Sequence, residues 1–289
     1  MSAGVEAPPL VVAPARARHA RLRLWRSPAG IIGFVLLVLV VGIAVLGPLF
    51  APHDPSAPIG VPGSAPGGNA LLGTDFLGRD VLSRVLHGGL YVLGLASGTI
   101  CATYLIGIAI GMFAGMSRSW LDPVLMRGVD MFLVFPSLVL LLLLLAGAGN
   151  SIWVLLLGLT LVLFPGVARL VRTATLEVST KPYIEVAVAR GEKPMVIMRH
   201  EILPNIAPAL LADLGVRFSA AIVLAASVNF LGLGQQPPAA NWGLMIAENR
   251  PIIQFNLWSV LIPALLVGLL TIAVNMIGDA YVRGLGRSR

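Results

Sequence analysis

Long runs of apolar residues alternate with short polar stretches along this chain. Six of the runs are long and uncharged enough to be read as membrane spans: residues 30–50, 91–116, 124–146, 151–168, 207–232 and 257–277. About 20 such residues cross roughly 30 Å of hydrocarbon as a helix, where a backbone must satisfy its own hydrogen bonds. The pattern therefore predicts an all-α integral membrane protein with six transmembrane helices. The first run follows Arg16, Arg18, Arg21, Arg23 and Arg26, as in a signal peptide. It is longer than a cleaved apolar segment usually is, and is read as a retained span entered at Ser27-Pro28 and ended by Ala51-Pro52-His53-Asp54-Pro55.

The polar stretches carry their own periodicities. Residues 52–68 are rich in Pro and Gly and read as an irregular loop, whereas Val81, Leu82, Val85 and Leu86 recur at helical spacing around Asp80, Ser83 and Arg84. That spacing predicts a short amphipathic helix at the membrane surface ahead of the second span. In residues 234–256, Pro237 and Pro238 break the preceding span and Trp242 sits where an interfacial anchor would. Gly107, Gly111 and Gly115 form a stripe that permits close helix packing or lines a pore.

Residues 173–206 are the most elaborate of the polar stretches. Pro182 suits the first turn of a helix running to Arg190, and Gly191 suits the left-handed residue after a helix end. Pro194 opens a second short helix with Met195, Met198 and Ile202 along one side, ended by Pro204. Small Ala187 and Ala189 permit close approach, with Glu185 and Arg190 at the rim. From spacing alone this is either a solvated amphipathic loop or a surface built for a partner.

Charge orients the spans. The chain is 57% hydrophobic and only 11% charged, and its net charge of +7 is concentrated in short loops and tails beside the apolar runs. This is a positive-inside distribution and not a nucleic-acid surface. The N-terminal arm, Arg118 and Arg127, the long loop with Arg169, Arg172, Lys181, Arg190, Lys193 and Arg199, and the tail with Arg283, Arg287 and Arg289 share one face, read as cytoplasmic. Arg79, Arg84 and Arg250 lie opposite. The chain divides accordingly into a cytoplasmic arm (1–29), a first helix (30–50), an external loop (51–90), a transmembrane domain (91–282) and a cytoplasmic tail (283–289).

Candidate chemistry is sparse. The single cysteine, Cys101, supports neither a disulfide nor a thiolate metal site, and no phosphate-binding loop of the G-x-x-x-x-G-K-[ST] type occurs. His200-Glu201 begins a zinc-protease pattern, but Pro204 stands where its second histidine is required. No metal, cofactor or catalytic constellation is assigned. Asp213 and Arg217, four residues apart inside the fifth span, are either a self-neutralising pair facing the bundle or the lining of a wet solute path. Asp130, a turn from Arg127, reads as an interfacial anchor.

Glu185, Ala187, Gly191, Leu203 and Pro204 fall in register with the cytoplasmic signature of bacterial ABC importer permeases (E-A-A, three residues, G, nine residues, I, one residue, L-P). Val186 and Glu201 depart from it. L-L-G-T-D-F-L-G-R-D-V-L-S-R-V-L-H-G (71–88), W-L-D-P-V-L-M-R-G-V-D-M-F-L-V-F-P-S-L (120–138), R-H-E-I-L-P-N (199–205), N-F-L-G-L-G-Q-Q-P-P (229–238) and W-G-L-M-I-A-E-N-R-P (242–251) narrow the resemblance. They resemble the second permease of the peptide and nickel branch.

The resemblance implies a type I ABC importer architecture working by alternating access. Its partners would be a homologous permease, two cytoplasmic ATPases, an external solute-binding protein and membrane lipid. It assigns ATPase coupling to Glu185, Ala187, Ala189, Arg190, Gly191, Arg199, Leu203 and Pro204, and turns Pro237, Trp242, Glu248 and Arg250 toward the binding protein. Asp213 and Arg217, which stand where such permeases carry mostly uncharged residues, are with Asn229 the candidates for a translocation path. Di- or oligopeptides are the implied solutes, with nickel chelates, opines and glutathione-like compounds as alternatives. A proton-coupled transporter using Asp213 or Asp130, and a scaffold without transport activity, are the rival classes.

Overall fold

The computed structural model describes residues 27–117 and 119–286, and all of its regular elements there are helical. Arg118, Arg287, Arg289 and the five N-terminal arginines lie outside the described residues. The first helix, α1 (Pro28–Leu46), is capped by the Ser27 hydroxyl, which accepts from Gly30 N–H at 3.0 Å, and runs into a 3₁₀ turn at Gly47–Phe50. The second, α2 (Val81–Met116), starts on Asp80, whose carboxylate accepts from Ser83 N–H at 3.0 Å. The expected surface helix and the second span are thus one continuous element. Its 36 residues measure about 54 Å, longer than a span needs, and its first turns sit inside a cap built by residues 51–80 and 234–256.

The third span is broken. Helices α3 (Leu121–Val134) and α4 (Ser137–Ala148) are bent by 87° where Phe135-Pro136 intervenes. Phe135 takes the extended backbone (ψ 134°) that proline imposes on its predecessor. The fourth span, α5 (Ile152–Ser179), continues past the expected limit toward α6 (Pro182–Ala189). A one-turn helix, α7 (Pro194–Ile197), and a π turn at Met198–Ile202 then lead without interruption into α8 (Leu203–Phe230). The chain closes with α9 (Trp242–Asn249) and α10 (Trp258–Gly286).

Five helices are long and apolar enough to span, and the bent α3–α4 pair makes the sixth. The expected stop at Pro204 does not occur. Proline in a helix lacks a donor and crowds the carbonyl four residues back. The wider π turn, in which Leu203 N–H reaches Met198 O, sits directly before it, and the Asn205 amide donates to Glu201 O at 2.6 Å.

The glycine stripe on α2 packs helices. A β-carbon at Gly107, Gly111 or Gly115 would come within 2.6–2.8 Å of Val167, the Ala168 carbonyl, Val171 or Thr175 on α5. The core continues through Ala221, Ile222, Leu266 and Leu270, which join α8 and α10 to α1 and α2.

This cap is organised by buried charge. Asp75 accepts from Arg79 Nε at 2.6 Å and lies 3.3 Å from Arg84 Nε, while Glu248 Oε2 accepts from Arg79 and Arg84 at 3.0 and 2.9 Å. All four side chains are buried. Burial pushes the Glu248 carboxyl up from its ordinary value, and the guanidinium groups of Arg84 and Arg79 pull it back toward the charged form. Asn256 Nδ2 donates to Leu72 O and Thr74 O, and Asn249 Oδ1 accepts from Phe76 N–H. Residues 72–79 are thereby fastened to α9 and the turn after it.

Candidate functional site

Two features lie where function was expected: the helix–turn–helix of residues 182–197 and a charged cluster inside the bundle. In the first, α6 ends as its sequence requires. Gly191 has φ +76°, its N–H meets Val188 O at 2.9 Å, and Glu192 N–H meets Ala187 O at 3.2 Å, which is the double bond of a glycine-terminated helix. A β-carbon at Gly191 would meet no atom within 4 Å, so the glycine serves the backbone angle and not a contact.

The two faces of α6 differ from the expectation. Ala187 is 1% exposed and packs with Ile184 against Ile197, Met198 and Ile202, so it faces this chain and offers no approach to a partner. The outward side consists of Tyr183, Glu185, Val186, Val188 and Ala189, continued by Met195 and Val196. Met195 is therefore not on the buried side with Met198 and Ile202. Arg190 and Glu192 pair at 2.7 Å on the surface, Arg199 and Pro204 are exposed, and Leu203 is half-buried. Burial, with the Glu201 carboxylate nearby, raises the Tyr183 phenol above its ordinary value, so it remains a neutral O–H.

Inside the bundle, Asp213 and Arg217 of α8 pair at 3.1 Å through Nε. Asp213 Oδ2 also accepts from the Tyr104 hydroxyl of α2 at 3.0 Å, and that hydroxyl lies 3.3 Å from Leu210 O. Tyr104 was not singled out from sequence: one tyrosine in an apolar span carries no signal until its partner is in place. Gly166 of α5 abuts the Arg217 head group, since a β-carbon there would stand 2.5 Å from both Nη nitrogens.

Asn229 belongs to neither feature. It is 1% exposed, donates to Ala225 O, and accepts from Gln235 N–H and Asn241 Nδ2. It folds the turn after α8 and does not line a path. The outward assignment of Trp242 and Glu248 also fails. Trp242 is fully buried with its indole N–H on Val85 O at 2.8 Å, against Gly88 and Gly89, and Glu248 is held in the ion cluster. Pro237 and Arg250 remain exposed, the latter over the Phe230 ring at 5.9 Å.

Asp130 pairs with Arg169 of α5 at 2.6 Å and not with Arg127, and Asp122 pairs with Arg172 at 2.6 Å. These two bridges tie α3 to α5 a few turns before α6. Neither was legible, because residues 39 and 50 apart in sequence carry no local signature.

Residues 107–288 match the family of binding-protein-dependent transport system inner membrane components, and residues 16–64 match the N-terminal transmembrane domain of oligopeptide transport permease C. The di/tripeptide transport system permease protein of Pseudomonas aeruginosa (strain UCBPP-PA14) is 35% identical over 86% of this chain and 84% of its own length. The dipeptide transport system permease protein of Alkalihalophilus pseudofirmus is 32% identical over 91% of this chain and 86% of its own. Among solved structures, the inward-facing MetNI methionine ABC transporter superposes with a TM-score of 0.57 at 22% identity, over 71% of this chain and 96% of the other, a likeness of fold.

Proposed function

The chain belongs to the binding-protein-dependent inner membrane components of ABC importers, and we propose that it is the second permease subunit of an ATP-driven importer of di- or oligopeptides. It is a multi-pass inner-membrane protein with no nucleotide-binding loop of its own, so ATP hydrolysis falls to partner subunits. The observation that carries the reading is the outward side of α6 and α7. Val186, Val188 and Met195 are each more than half exposed, beside Tyr183 and Val196 and between charged Glu185, Arg190 and Lys193. Apolar side chains held out on a short rigid element, rimmed by charge, suit a partner's groove. The partner proposed is a cytoplasmic ATPase, whose closure would move α6. A homologous permease would complete the path, and an external binding protein would deliver the solute to the cap.

Reconstitution tests the class of transporter. Vesicles holding this chain with its sister permease, both ATPases and the binding protein should accumulate labelled dialanine when ATP is supplied, unchanged by an uncoupler. Uptake that follows an imposed proton gradient and ignores ATP would favour the secondary-transporter reading instead. The proposed orientation, with both termini and residues 173–206 cytoplasmic, has its own check. A cysteine replacing exposed Leu71 in a Cys101→Ala background should react with an impermeant thiol reagent in intact spheroplasts, and one replacing Lys193 should react only after lysis. The reverse pattern would invert the topology.

A further inference from the structure

Among the described residues, three Asp–Arg pairs lie between or within helices α3, α5 and α8, and one of them is built differently. Arg172 grips Asp122 with its fork, Nε to Oδ1 and Nη2 to Oδ2, both at 2.6 Å. Arg169 likewise places Nε and Nη2 on Asp130. Arg217 spends only Nε, at 3.2 and 3.1 Å from the two Asp213 oxygens. Among the described residues its Nη1 and Nη2 have no hydrogen-bond partner, and neither nitrogen is shut away from the surface. The side chain as a whole is 27% exposed, that of Asp213 19%.

The depth of this group makes its open valence costly. Asp213 lies ten residues into α8, about 15 Å from its cytoplasmic end, and Arg217 thirteen residues before the other end, about 20 Å away. A charge at that depth facing lipid is strongly disfavoured, so the free N–H groups must face water or a polar ligand. Asp213 is itself fixed by the Tyr104 hydroxyl, and the missing β-carbon of Gly166 leaves the head group its place against α5. A pair serving neutralisation alone would close its fork on the carboxylate, as Arg172 does. This one holds the guanidinium from behind and presents two parallel donors, the geometry that receives a carboxylate in bidentate fashion.

We propose that Arg217 is a carboxylate-binding residue on the solute pathway, positioned by Asp213, Tyr104 and Gly166, and that the transporter selects solutes bearing a free carboxylate group. The proposal rests on the reading of this chain as an importer's permease subunit. A solute carboxylate would take the two Nη donors while Asp213 keeps Nε, and an amide in its place would offer one acceptor and lose the charge.

The test uses the assembled permease–ATPase complex in nanodiscs without the binding protein. N-acetylalanine, dialanine and the C-terminal amide of dialanine are the probes, and wild type is compared with the neutral double variant Asp213→Asn/Arg217→Gln. The double variant strands no charge, so it separates loss of binding from failure to fold. Both carboxylates should raise the melting temperature of wild type by about 2 °C or more near saturation, the amide at the same ionic strength should not, and the double variant should respond to none of the three. An equal shift with the amide, a shift retained in the double variant, or no shift with either carboxylate overturns the assignment. Should N-acetylalanine bind in this Arg217-dependent way while vesicles fail to accumulate dialanine, the peptide reading falls and the carboxylate site stands.

Discussion

Replacing Asp75 with Ala should lower the melting temperature of the complex more than almost any other single change in the outer cap. Asp75 is fully buried, and it accepts from Leu77 and Arg79 N–H at 2.9 Å as well as from Arg79 Nε. Without it, two buried guanidinium groups share Glu248 alone, and two backbone donors lose their acceptor. Removing one partner from a buried ion cluster costs about 3–5 kcal/mol because the remaining charge is left uncompensated. Asp54→Ala provides the control, since the exposed Asp54 carboxylate accepts from exposed Ser56 at the surface. Melting followed by tryptophan fluorescence should show a drop of several degrees for the first variant and almost none for the second. Equal melting of the two would mean that the cluster contributes nothing to holding the cap.

Val186→Asp should abolish uptake while leaving the protein in the membrane at normal level. Val186 is 54% exposed on the outward side of α6, so a carboxylate there costs the folded chain little. At an apolar contact with an ATPase, the same carboxylate would be desolvated without a partner, at a cost of a few kcal/mol, enough to reduce docking about a hundredfold. Co-purification of the ATPase subunits and ATP-driven uptake are the measurements. Ala187→Glu makes the contrast: it drives a charge into the contact with Ile184, Ile197 and Ile202 and should reduce the amount of folded protein. Normal uptake by Val186→Asp would remove this face from the coupling interface.

How much of this was legible in the sequence depends on how local each cause is. The spans follow from length and hydropathy. The turn at Gly191 follows from residues a few positions apart, and the structure returns it with the left-handed angle expected. The Asp213–Arg217 pair was also legible, being one helical turn apart.

The failures are of two kinds. Helix boundaries at proline misled, because a π turn lets α8 pass Pro204, while Pro136 breaks a span read as continuous. Burial of polar groups misled more. Trp242 and Glu248 look outward-facing in a polar segment and Asn229 looks like the lining of a path. Only the tertiary fold reveals that Arg79 and Arg84 come from another part of the cap to meet Glu248 and that Asn229 folds the turn after α8. Ala187 shows the same limit in miniature. The spacing placed it on a helix, but which side of that helix was already occupied depended on Ile197 and Ile202 from the next element.

The π turn at Met198–Ile202 has a bearing on which changes the chain can survive. It lodges one extra residue between α7 and α8. If one residue of those five were lost, the turn could close as ordinary α-helix with the phase of α8 kept, because the wide turn absorbs the extra residue. The same loss inside the regular part of α8 would turn everything beyond it by about 100°. After a loss between Leu203 and Asp213, Arg217 would leave Gly166 and point elsewhere around the bundle, although no residue of the cluster had been altered. The length of α8 therefore behaves as a reading frame, and the π turn before it is a place where a residue can be dropped without shifting that frame.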